Sequence, residues 1–297
     1  MQTTDQKALN LSAYGKYRET LIDSAGTRIA LSIYENSGPC VIFIPGTMTH
    51  PLFYDDFLTA LAGKGFTVVG IHPVSHGKSP REKKIYTYAD MLENVRDTVT
   101  YCIQNFTDNI VVMGSSQGSI LALGAAASDQ RIRAVFPHNI FIPVLKETIA
   151  ITRFPEFLKY FQRIFLFFMK IGAGLFPGLP VSIGMYLDIH RISATKEIID
   201  QYLSDPIGLT SYPLGFLYSL FTADMTAATD GSLQCPVIVI TSTGDPLFPY
   251  SYIRQVYEKI TAPQKEILVF DEPFHLIMNE CVDRIIDPIV EKLRQYC

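Results

Sequence analysis

The chain has 297 residues and a formal net charge of −4 at pH 7, with 25 Lys and Arg against 29 Asp and Glu. This balance excludes a nucleic-acid-binding protein that relies on bulk positive charge. Hydrophobic residues make up 48% of the chain and charged residues 18%, which excludes wholesale disorder and allows a large core. At this length one large α/β domain, or a core with an insertion, is expected.

The first predicted elements are strands. Residues 17–23 and 27–34 flank the turn Ser24-Ala25-Gly26, which predicts an antiparallel hairpin. Three short apolar runs follow at the spacing typical of a parallel sheet, at residues 40–44, 67–71 and 109–113.

A helix is predicted between the second and third of these runs. Thr87 can cap its N-terminus, with Asp90 three residues later. The apolar residues that follow share one face, namely Met91, Val95, Val99, Cys102 and Phe106. We interpret this segment as the crossover helix of a parallel sheet.

The alternation of strands and helices then breaks and resumes. After a strand at 132–136 it stops until 236–241. It continues with a helix near 250–260, a strand at 266–270 and a last helix whose apolar face includes Val282, Ile285, Ile286, Ile289 and Leu293. The predicted organisation is therefore a core at 1–140, a helical cap insertion at 141–230 and the rest of the core at 231–297.

The strand at 109–113 leads directly into Gly114-Ser115-Ser116-Gln117-Gly118, and residues 119–127 are typical of a helix. This is a GxSxG pattern between a strand and a helix. Small residues two positions before and after the serine permit the sharp turn that exposes its hydroxyl. The pattern predicts Ser116 as a catalytic nucleophile.

A serine nucleophile needs a base that takes its proton and a carboxylate that orients the base. Asp245 and His275 each follow a predicted strand directly, as Ser116 does, and they occur in the order acid before histidine. They are the predicted acid and base. Asp271 and Asp283 are nearer to His275 in sequence, but the first ends its strand and the second lies in the last helix.

The oxyanion that develops during acyl transfer requires two backbone N–H donors. One predicted donor is the amide of Gln117, directly after the nucleophile. The other is the amide of Thr47 or of Met48, in the loop that follows the strand at 40–44.

Five stretches of the sequence resemble the α/β-hydrolase superfamily and together extend over nearly the whole chain. They are PGTMTHPLFYDDF from Pro45, IHPVSHGKSPREK from Ile71, GSSQGS from Gly114, CPVIVITSTGDPLFP from Cys235 and FHLIMNE from Phe274. The chain resembles the serine hydrolases that include monoacylglycerol lipases, lysophospholipases and related esterases. The resemblance implies an α/β-hydrolase fold, with a mostly parallel central sheet flanked by helices and a helical cap. It also implies cleavage of carboxylic esters through an acyl-enzyme.

The predicted cap is rich in aromatic residues, which are Phe154, Phe157, Tyr160, Phe161, Phe165, Phe167, Phe168, Phe176 and Tyr186. Because a cap lies over the active site, we predict an ester substrate with an apolar acyl chain and a pocket lined by Phe165, Phe167 and Phe168. An aromatic packing helix without substrate contact is the alternative.

One run in the cap is long enough to span a bilayer. From Ile164 to Leu187 the only charge is Lys170, but Pro177, Pro180 and four glycines interrupt the run. A buried or substrate-facing helical insertion is the preferred interpretation. The basic residues nearby predict peripheral contact between the cap and a lipid interface, with an ordinary solvated face as the alternative.

No cofactor, metal ion or nucleic acid is predicted as a partner. His72 and His76 lie four residues apart without a carboxylate or cysteine cluster, so we interpret them as structural. Five dispersed cysteines without a CxxC pair favour a reducing compartment. The first residues lack the pattern of a secretory signal, and a cytoplasmic location is predicted.

Two groups of alternatives to ester hydrolysis are open at this point. Thioesterase or acyltransferase activity would use the same three residues, and the sequence does not separate them. A non-catalytic small-molecule receptor on the same fold is the second alternative, although an intact set of serine, histidine and aspartate argues against it.

Overall fold

The computed structural model describes residues 16–143, 145–193 and 195–297. These residues form ten strands: β1 (Tyr17–Ser24), β2 (Thr27–Tyr34), β3 (Cys40–Ile44), β4 (Thr67–His72), β5 (Ile110–Ser115), β6 (Ile132–His138), β7 (Pro180–Ser182), β8 (Ser211–Pro213), β9 (Val237–Ser242) and β10 (Lys265–Phe270). Eight of them form one sheet in the order β1-β2-β4-β3-β5-β6-β9-β10, and β7 pairs with β8 separately.

The sheet is antiparallel at one edge and parallel elsewhere. β1 and β2 form an antiparallel hairpin, β2 runs antiparallel to β4, and the remaining neighbours are parallel. Strands β3, β4, β5 and β9 are buried along their whole length, as expected for continuous apolar runs covered on both faces. Each strand predicted from the sequence is present, with its ends within two residues of the predicted ones.

Nine α-helices occur in the described residues: α1 (Asp55–Gly63), α2 (Tyr88–Asn105), α3 (Gln117–Ser128), α4 (Gln162–Leu175), α5 (Lys196–Ser204), α6 (Leu214–Phe221), α7 (Tyr250–Lys259), α8 (Ile277–Glu280) and α9 (Val282–Tyr296). Helix α2 begins as predicted, because Thr87 and Asp90 form a reciprocal capping box. Helix α3 packs on β5 and β6 and contacts α2, while α1 contacts α9. The fold is therefore a mostly parallel sheet flanked by helices.

Residues 141–230 are called the intervening segment below, and the described ones among them contribute no strand to the eight-stranded sheet. The described part of this segment consists of short 3-10 turns, α4, α5, α6 and the β7–β8 ladder. The division into core and cap remains a proposal.

Helix α4 differs from the expectation of a buried helix. Ala173 is its one buried residue, and most of its large apolar side chains are exposed to solvent. The physical reason is that α4 is apolar around much of its circumference but packs mainly against α6. Among the described residues, no helix combines the length and the apolar character needed to cross a bilayer.

Candidate active site

Ser116 lies in a sharp turn between β5 and α3, with a φ of 51° and a ψ of −114°. A Cβ atom on Gly114 would lie 2.1 Å from the carbonyl oxygen of Gly118, and a Cβ on Gly118 would lie 2.3 Å from that of Ile44. Larger residues at either position would force the backbone apart. The GxSxG pattern thus occupies a strand-turn-helix, as predicted, and holds Ser116 in a conformation that L-residues rarely adopt.

His275 and Asp245 form a buried pair on the loops after β10 and β9. The Nδ1 atom of His275 lies 2.9 Å from Oδ2 of Asp245. Oδ1 of Asp245 accepts the backbone N–H groups of Leu247 at 2.7 Å and Phe248 at 2.8 Å. Because Nδ1 of His275 donates its proton to the carboxylate, Nε2 of the neutral ring carries the lone pair and can act as a base.

The two other aspartates near His275 in sequence lie elsewhere. Asp271 accepts a hydrogen bond from the hydroxyl of Thr243 at the exposed end of β10. Asp283 is exposed in the first turn of α9. Of the three carboxylates considered from the sequence, Asp245 is the one within hydrogen-bonding distance of the histidine.

Ser116 and His275 line the same cavity, which lies between the sheet edge and the intervening segment. Its walls also contain Gly46, Thr47 and Gln117 from the core, and mostly apolar residues from the intervening segment, among them Ile151, Thr152, Tyr186, Ile192, Leu220 and Phe221. The cavity therefore places an apolar wall opposite the serine hydroxyl and the imidazole.

A second cavity adjoins the first, and Thr152 and Phe221 line both. Of the three predicted pocket residues, Phe165 lines the second cavity. Phe167 and Phe168 line neither cavity and are 59% and 65% exposed. They lie on α4 but on the part of its surface that faces solvent, which the sequence does not reveal because α4 is apolar on several faces.

The loop after β3 presents two amides that the sequence leaves as alternatives for the oxyanion hole. The backbone N–H of Met48, a residue with a φ of 59°, donates to the hydroxyl of Tyr212 at 2.7 Å. Thr47 and Gln117 line the cavity, and within the described residues neither backbone amide has a protein acceptor. The amide of Gln117 also lies at the N-terminus of α3, where the helix dipole favours negative charge. The geometry favours Thr47 over Met48.

The intervening segment holds this loop through polar contacts that the sequence analysis missed. The hydroxyl of Tyr202 donates to the carbonyl oxygen of Thr47 at 3.0 Å. Nε2 of His50 lies 2.7 Å from a carboxylate oxygen of Asp205. The two residues of each pair lie 155 positions apart in the chain, and no local sequence pattern indicates that they meet.

His76 supports the same loop from the core side. Its Nδ1–H donates to the carbonyl oxygen of Val74 at 2.8 Å, so its Nε2 accepts from the hydroxyl of Tyr212 at 3.1 Å. Burial lowers the pKa of His76 to about 4, which keeps the ring neutral and able to accept. His72 is engaged with Ser32 and with the amide of Lys78. Both histidines thus have protein partners, consistent with a structural role.

A mostly parallel sheet with a serine in a strand-turn-helix at its centre defines an α/β hydrolase. Residues 36–282 match the family described as Serine aminopeptidase, S33, and the chain belongs to this family of α/β hydrolases. A search of curated proteins finds no significant match to the sequence.

Several solved structures share the fold. A monoacylglycerol lipase from Paleococcus ferrophilus has a TM-score of 0.73 at 19% identity, over 95% of this chain and 100% of that one. A soluble variant of monoglyceride lipase from Saccharomyces cerevisiae, in complex with a substrate analog, has a TM-score of 0.71 at 13% identity, over 93% and 94%. The esterase Pf2001 from Pyrococcus furiosus has a TM-score of 0.62 at 16% identity, over 96% and 95%. At these identities the likeness shows the fold alone.

Proposed function

We propose that the protein is a serine hydrolase that cleaves carboxylic esters through an acyl-enzyme, with Ser116 as nucleophile, His275 as base and Asp245 as the acid that orients it. One observation carries this proposal. Ser116 and His275 line one cavity, and Nδ1 of His275 is hydrogen-bonded to the buried carboxylate of Asp245.

In the first half of the reaction, Oγ of Ser116 attacks the ester carbonyl carbon while Nε2 of His275 takes the hydroxyl proton. The tetrahedral intermediate collapses when the resulting imidazolium returns this proton to the alkoxide leaving group, and an ester between the acyl group and Ser116 forms. Water then attacks the acyl-enzyme with His275 again as base. This step releases the carboxylic acid and restores the serine.

The backbone amides of Thr47 and Gln117 are the proposed donors to the oxyanion. Both line the cavity beside Ser116. Each donor of this kind contributes roughly 3–4 kcal/mol to stabilisation of the transition state. Met48 is proposed to contribute through its hydrogen bond to Tyr212, which fixes the loop, and not as a donor itself.

The proposed substrate is a small ester with an apolar acyl chain. The first cavity is bounded mostly by apolar side chains, and the second cavity shares Thr152 and Phe221 with it as lining residues. Each methylene group removed from water contributes about 0.8 kcal/mol, so a chain that enters the second cavity should bind more tightly than a short one. Phe165 stays a proposed pocket residue, while Phe167 and Phe168 are reassigned to the surface.

We further propose that the exposed side of α4 and the turn before it contact a lipid interface. This aromatic surface consists of Phe157, Tyr160, Phe161, Ile164, Phe167, Phe168, Leu175 and Phe176, all at least half exposed. Solvent-exposed apolar patches of this kind mark interaction sites on protein surfaces. Arg163 and Lys170 lie on the same helix and could attract anionic head groups. A cytoplasmic location, supported by five unpaired cysteines, remains part of the proposal.

The test is a panel of p-nitrophenyl esters of increasing acyl length, with acyl-CoA and lysophospholipid added, together with intact-mass analysis after a fluorophosphonate probe. We expect one adduct, on Ser116, and a kcat/KM that rises with chain length while substrates are kept below micelle formation. Preferred turnover of acyl-CoA would favour a thioesterase. Ligand binding without an adduct or turnover would favour a receptor and contradict the proposal.

A further inference from the structure

Asn139 is a buried residue next to the Asp245–His275 pair, and the reaction proposed above does not use it. It follows β6, has no exposed surface and has a left-handed φ of 54°. Its side-chain nitrogen lies 2.7 Å from Oδ2 of Asp245, 2.9 Å from Nε2 of His138 and 3.2 Å from Nδ1 of His275. Its side-chain oxygen accepts from the hydroxyl of Thr241 at 3.1 Å.

Each of the two side-chain amide hydrogens of Asn139 has a defined hydrogen-bond acceptor. Nδ1 of His275 donates to Asp245 and cannot accept. One amide hydrogen therefore goes to Asp245 and the other to Nε2 of His138, whose Nδ1–H then donates to the hydroxyl of Ser115 at 3.1 Å. Burial, followed by the nearby charge of His275, lowers the pKa of His138 well below its ordinary value, which agrees with a neutral, accepting ring.

With Asn139 included, the carboxylate of Asp245 accepts four hydrogen bonds. Oδ1 takes the two backbone amides of Leu247 and Phe248, and Oδ2 takes His275 and Asn139. A carboxylate has about four lone-pair positions, so the acceptor capacity of Asp245 is filled. Rotation of the carboxylate away from the imidazole would break two of these bonds at once.

The backbone at this point also contacts the serine turn. The backbone N–H of Ser116 donates to the carbonyl oxygen of His138 at 2.9 Å, and that of Asn139 donates to the carbonyl oxygen of Ile240 at 3.0 Å. Residues 138 and 139 therefore connect the turn that carries the nucleophile to the strand that precedes Asp245.

We infer that Asn139 is a positioning residue that sets the distance and orientation of the Asp245–His275 pair relative to Ser116. This inference rests on the proposed function. Asn139 acts through its amide, which satisfies the second lone pair of the carboxylate oxygen that holds the imidazole. It touches neither the substrate nor the reacting atoms.

The same geometry makes position 139 a second place from which an acid can reach the histidine. Its side-chain nitrogen and Oδ2 of Asp245 both lie within 3.2 Å of Nδ1 of His275. In the double variant Asn139→Asp/Asp245→Asn, the new carboxylate can accept from His275 and from the new amide at position 245. That amide still accepts the N–H groups of Leu247 and Phe248 through its oxygen. His138 can reverse its tautomer and donate to the new carboxylate.

The experiment compares Asn139→Ala, Asp245→Asn and the double variant by kcat, KM and the rate of fluorophosphonate labelling of Ser116. We expect Asn139→Ala to lower kcat and the labelling rate roughly tenfold or more with KM within about twofold, because geometry and not binding is lost. We expect Asp245→Asn to lower kcat by about 10⁴-fold, and the double variant to exceed Asp245→Asn at least tenfold. A residue with only a packing role would give no such recovery.

Asn36→Ala is the control, because the side-chain nitrogen of Asn36 donates to the carbonyl oxygen of Ala62 and its side-chain oxygen accepts from the N–H of Ser37, and none of these residues has a role in the proposed reaction. It should lower the midpoint of thermal unfolding while leaving kcat within about twofold. If the wild type is active but Asn139→Ala keeps its kcat and the double variant is no better than Asp245→Asn, the role of Asn139 is overturned alone. If the wild type neither labels nor turns over esters, the nucleophile assignment fails and this inference fails with it.

Discussion

The sheet core and the intervening segment use the same kinds of apolar residues in opposite ways. In the core, the central strands are buried and even polar groups such as His138 and Asn139 have partners. In the intervening segment, aromatic side chains face solvent. Apart from Leu21 and Ile85, all the large hydrophobic side chains that are exposed in the described residues belong to this segment.

This difference separates two tasks. Buried and fully hydrogen-bonded groups lose their alternative conformations, so the core can hold Ser116, Asp245 and His275 in one arrangement. The exposed aromatic side chains gain about 1.5–3 kcal/mol each when they leave water, and this free energy is available only if a partner covers them. We therefore propose that the core carries out the chemistry and that the intervening segment contacts lipid, and the predictions below test this division.

The largest effect is expected for Ser116→Ala, which should lower kcat by about 10⁴-fold or more because the attacking oxygen is removed. The urea midpoint should stay close to that of the wild type, since the turn depends on Gly114 and Gly118 and not on the hydroxyl. Steady-state kinetics and urea unfolding measure both quantities. Ser128→Ala, at the end of α3, is the control, and activity retained in Ser116→Ala would refute the assignment.

Asp245→Asn is expected to lower kcat by about 10⁴-fold, because an amide can leave His275 in the wrong tautomer. Asp271→Asn is the matched control and should change kcat less than about twofold, since that side chain contacts Thr243 at an exposed position. Kinetics of both variants on one soluble ester decide the matter. A severe loss in Asp271→Asn with a mild one in Asp245→Asn would show that the acid is misassigned.

The double variant Phe167→Asp/Phe168→Asp should weaken binding to lipid vesicles by about a hundredfold, because two exposed aromatic groups no longer leave water. Its kcat on a short, soluble ester should stay within about twofold, since both residues lie outside the cavities. Vesicle co-sedimentation with neutral and with partly anionic lipid measures the binding. Equal binding by the variant and the wild type would contradict a role for this surface, and Leu21→Asp on the core is the control.

Tyr212→Phe removes one of two hydrogen bonds between the intervening segment and Met48, and leaves the other, from the N–H of Leu209 to the carbonyl oxygen of Met48. The backbone N–H of Met48 then lacks its acceptor, and an unsatisfied buried donor costs about 1–3 kcal/mol. We expect kcat to fall about tenfold, because the loop after β3, which carries the proposed oxyanion donor Thr47, loses one of the hydrogen bonds that hold it in place. Tyr257→Phe, which loses a hydrogen bond to the backbone of Lys265 at the periphery, should keep full activity. Similar kinetics for the two variants would argue against this support.

The smallest effect concerns stability and pH. The pKa of His76 is about 4 in the folded protein and about 6.5 when unfolded, so the unfolded state binds more protons between these values and stability falls as pH falls. From pH 7.5 to 6 this histidine alone should remove about 1 kcal/mol, with further loss towards pH 4. Burial also lowers the pKa values of His72 and His138, so both add to this loss, whereas burial raises the pKa of Glu280, which acts in the opposite direction. Urea unfolding at both pH values tests the prediction, and a stability that rises on acidification would contradict it.

Much of the core could be read from the sequence because its signals are local. A strand buried on both faces needs a continuous apolar run, and a capping box needs Thr87 and Asp90 three residues apart. The turn at Ser116 needs glycine on both sides, since any Cβ there meets a carbonyl oxygen. The placement of Asp245 and His275 at strand ends follows from the order of elements, because parallel strands end at the same edge.

The supporting groups could not be read in this way, because each depends on a partner far away in the chain. Nothing near Asn139 indicates that its amide meets Asp245, 106 residues later. Nothing near Met48 indicates that its amide meets Tyr212, 164 residues later. Helix α4 shows the same limit for apolar residues. Its composition predicts burial, but whether an apolar face is covered depends on which neighbours the tertiary structure supplies, and α4 packs mainly against one helix. The sequence by itself determined the strands, the serine turn and the placement of Asp245 and His275 after strands, whereas tertiary packing alone decided which groups contact them and which apolar side chains remain in water.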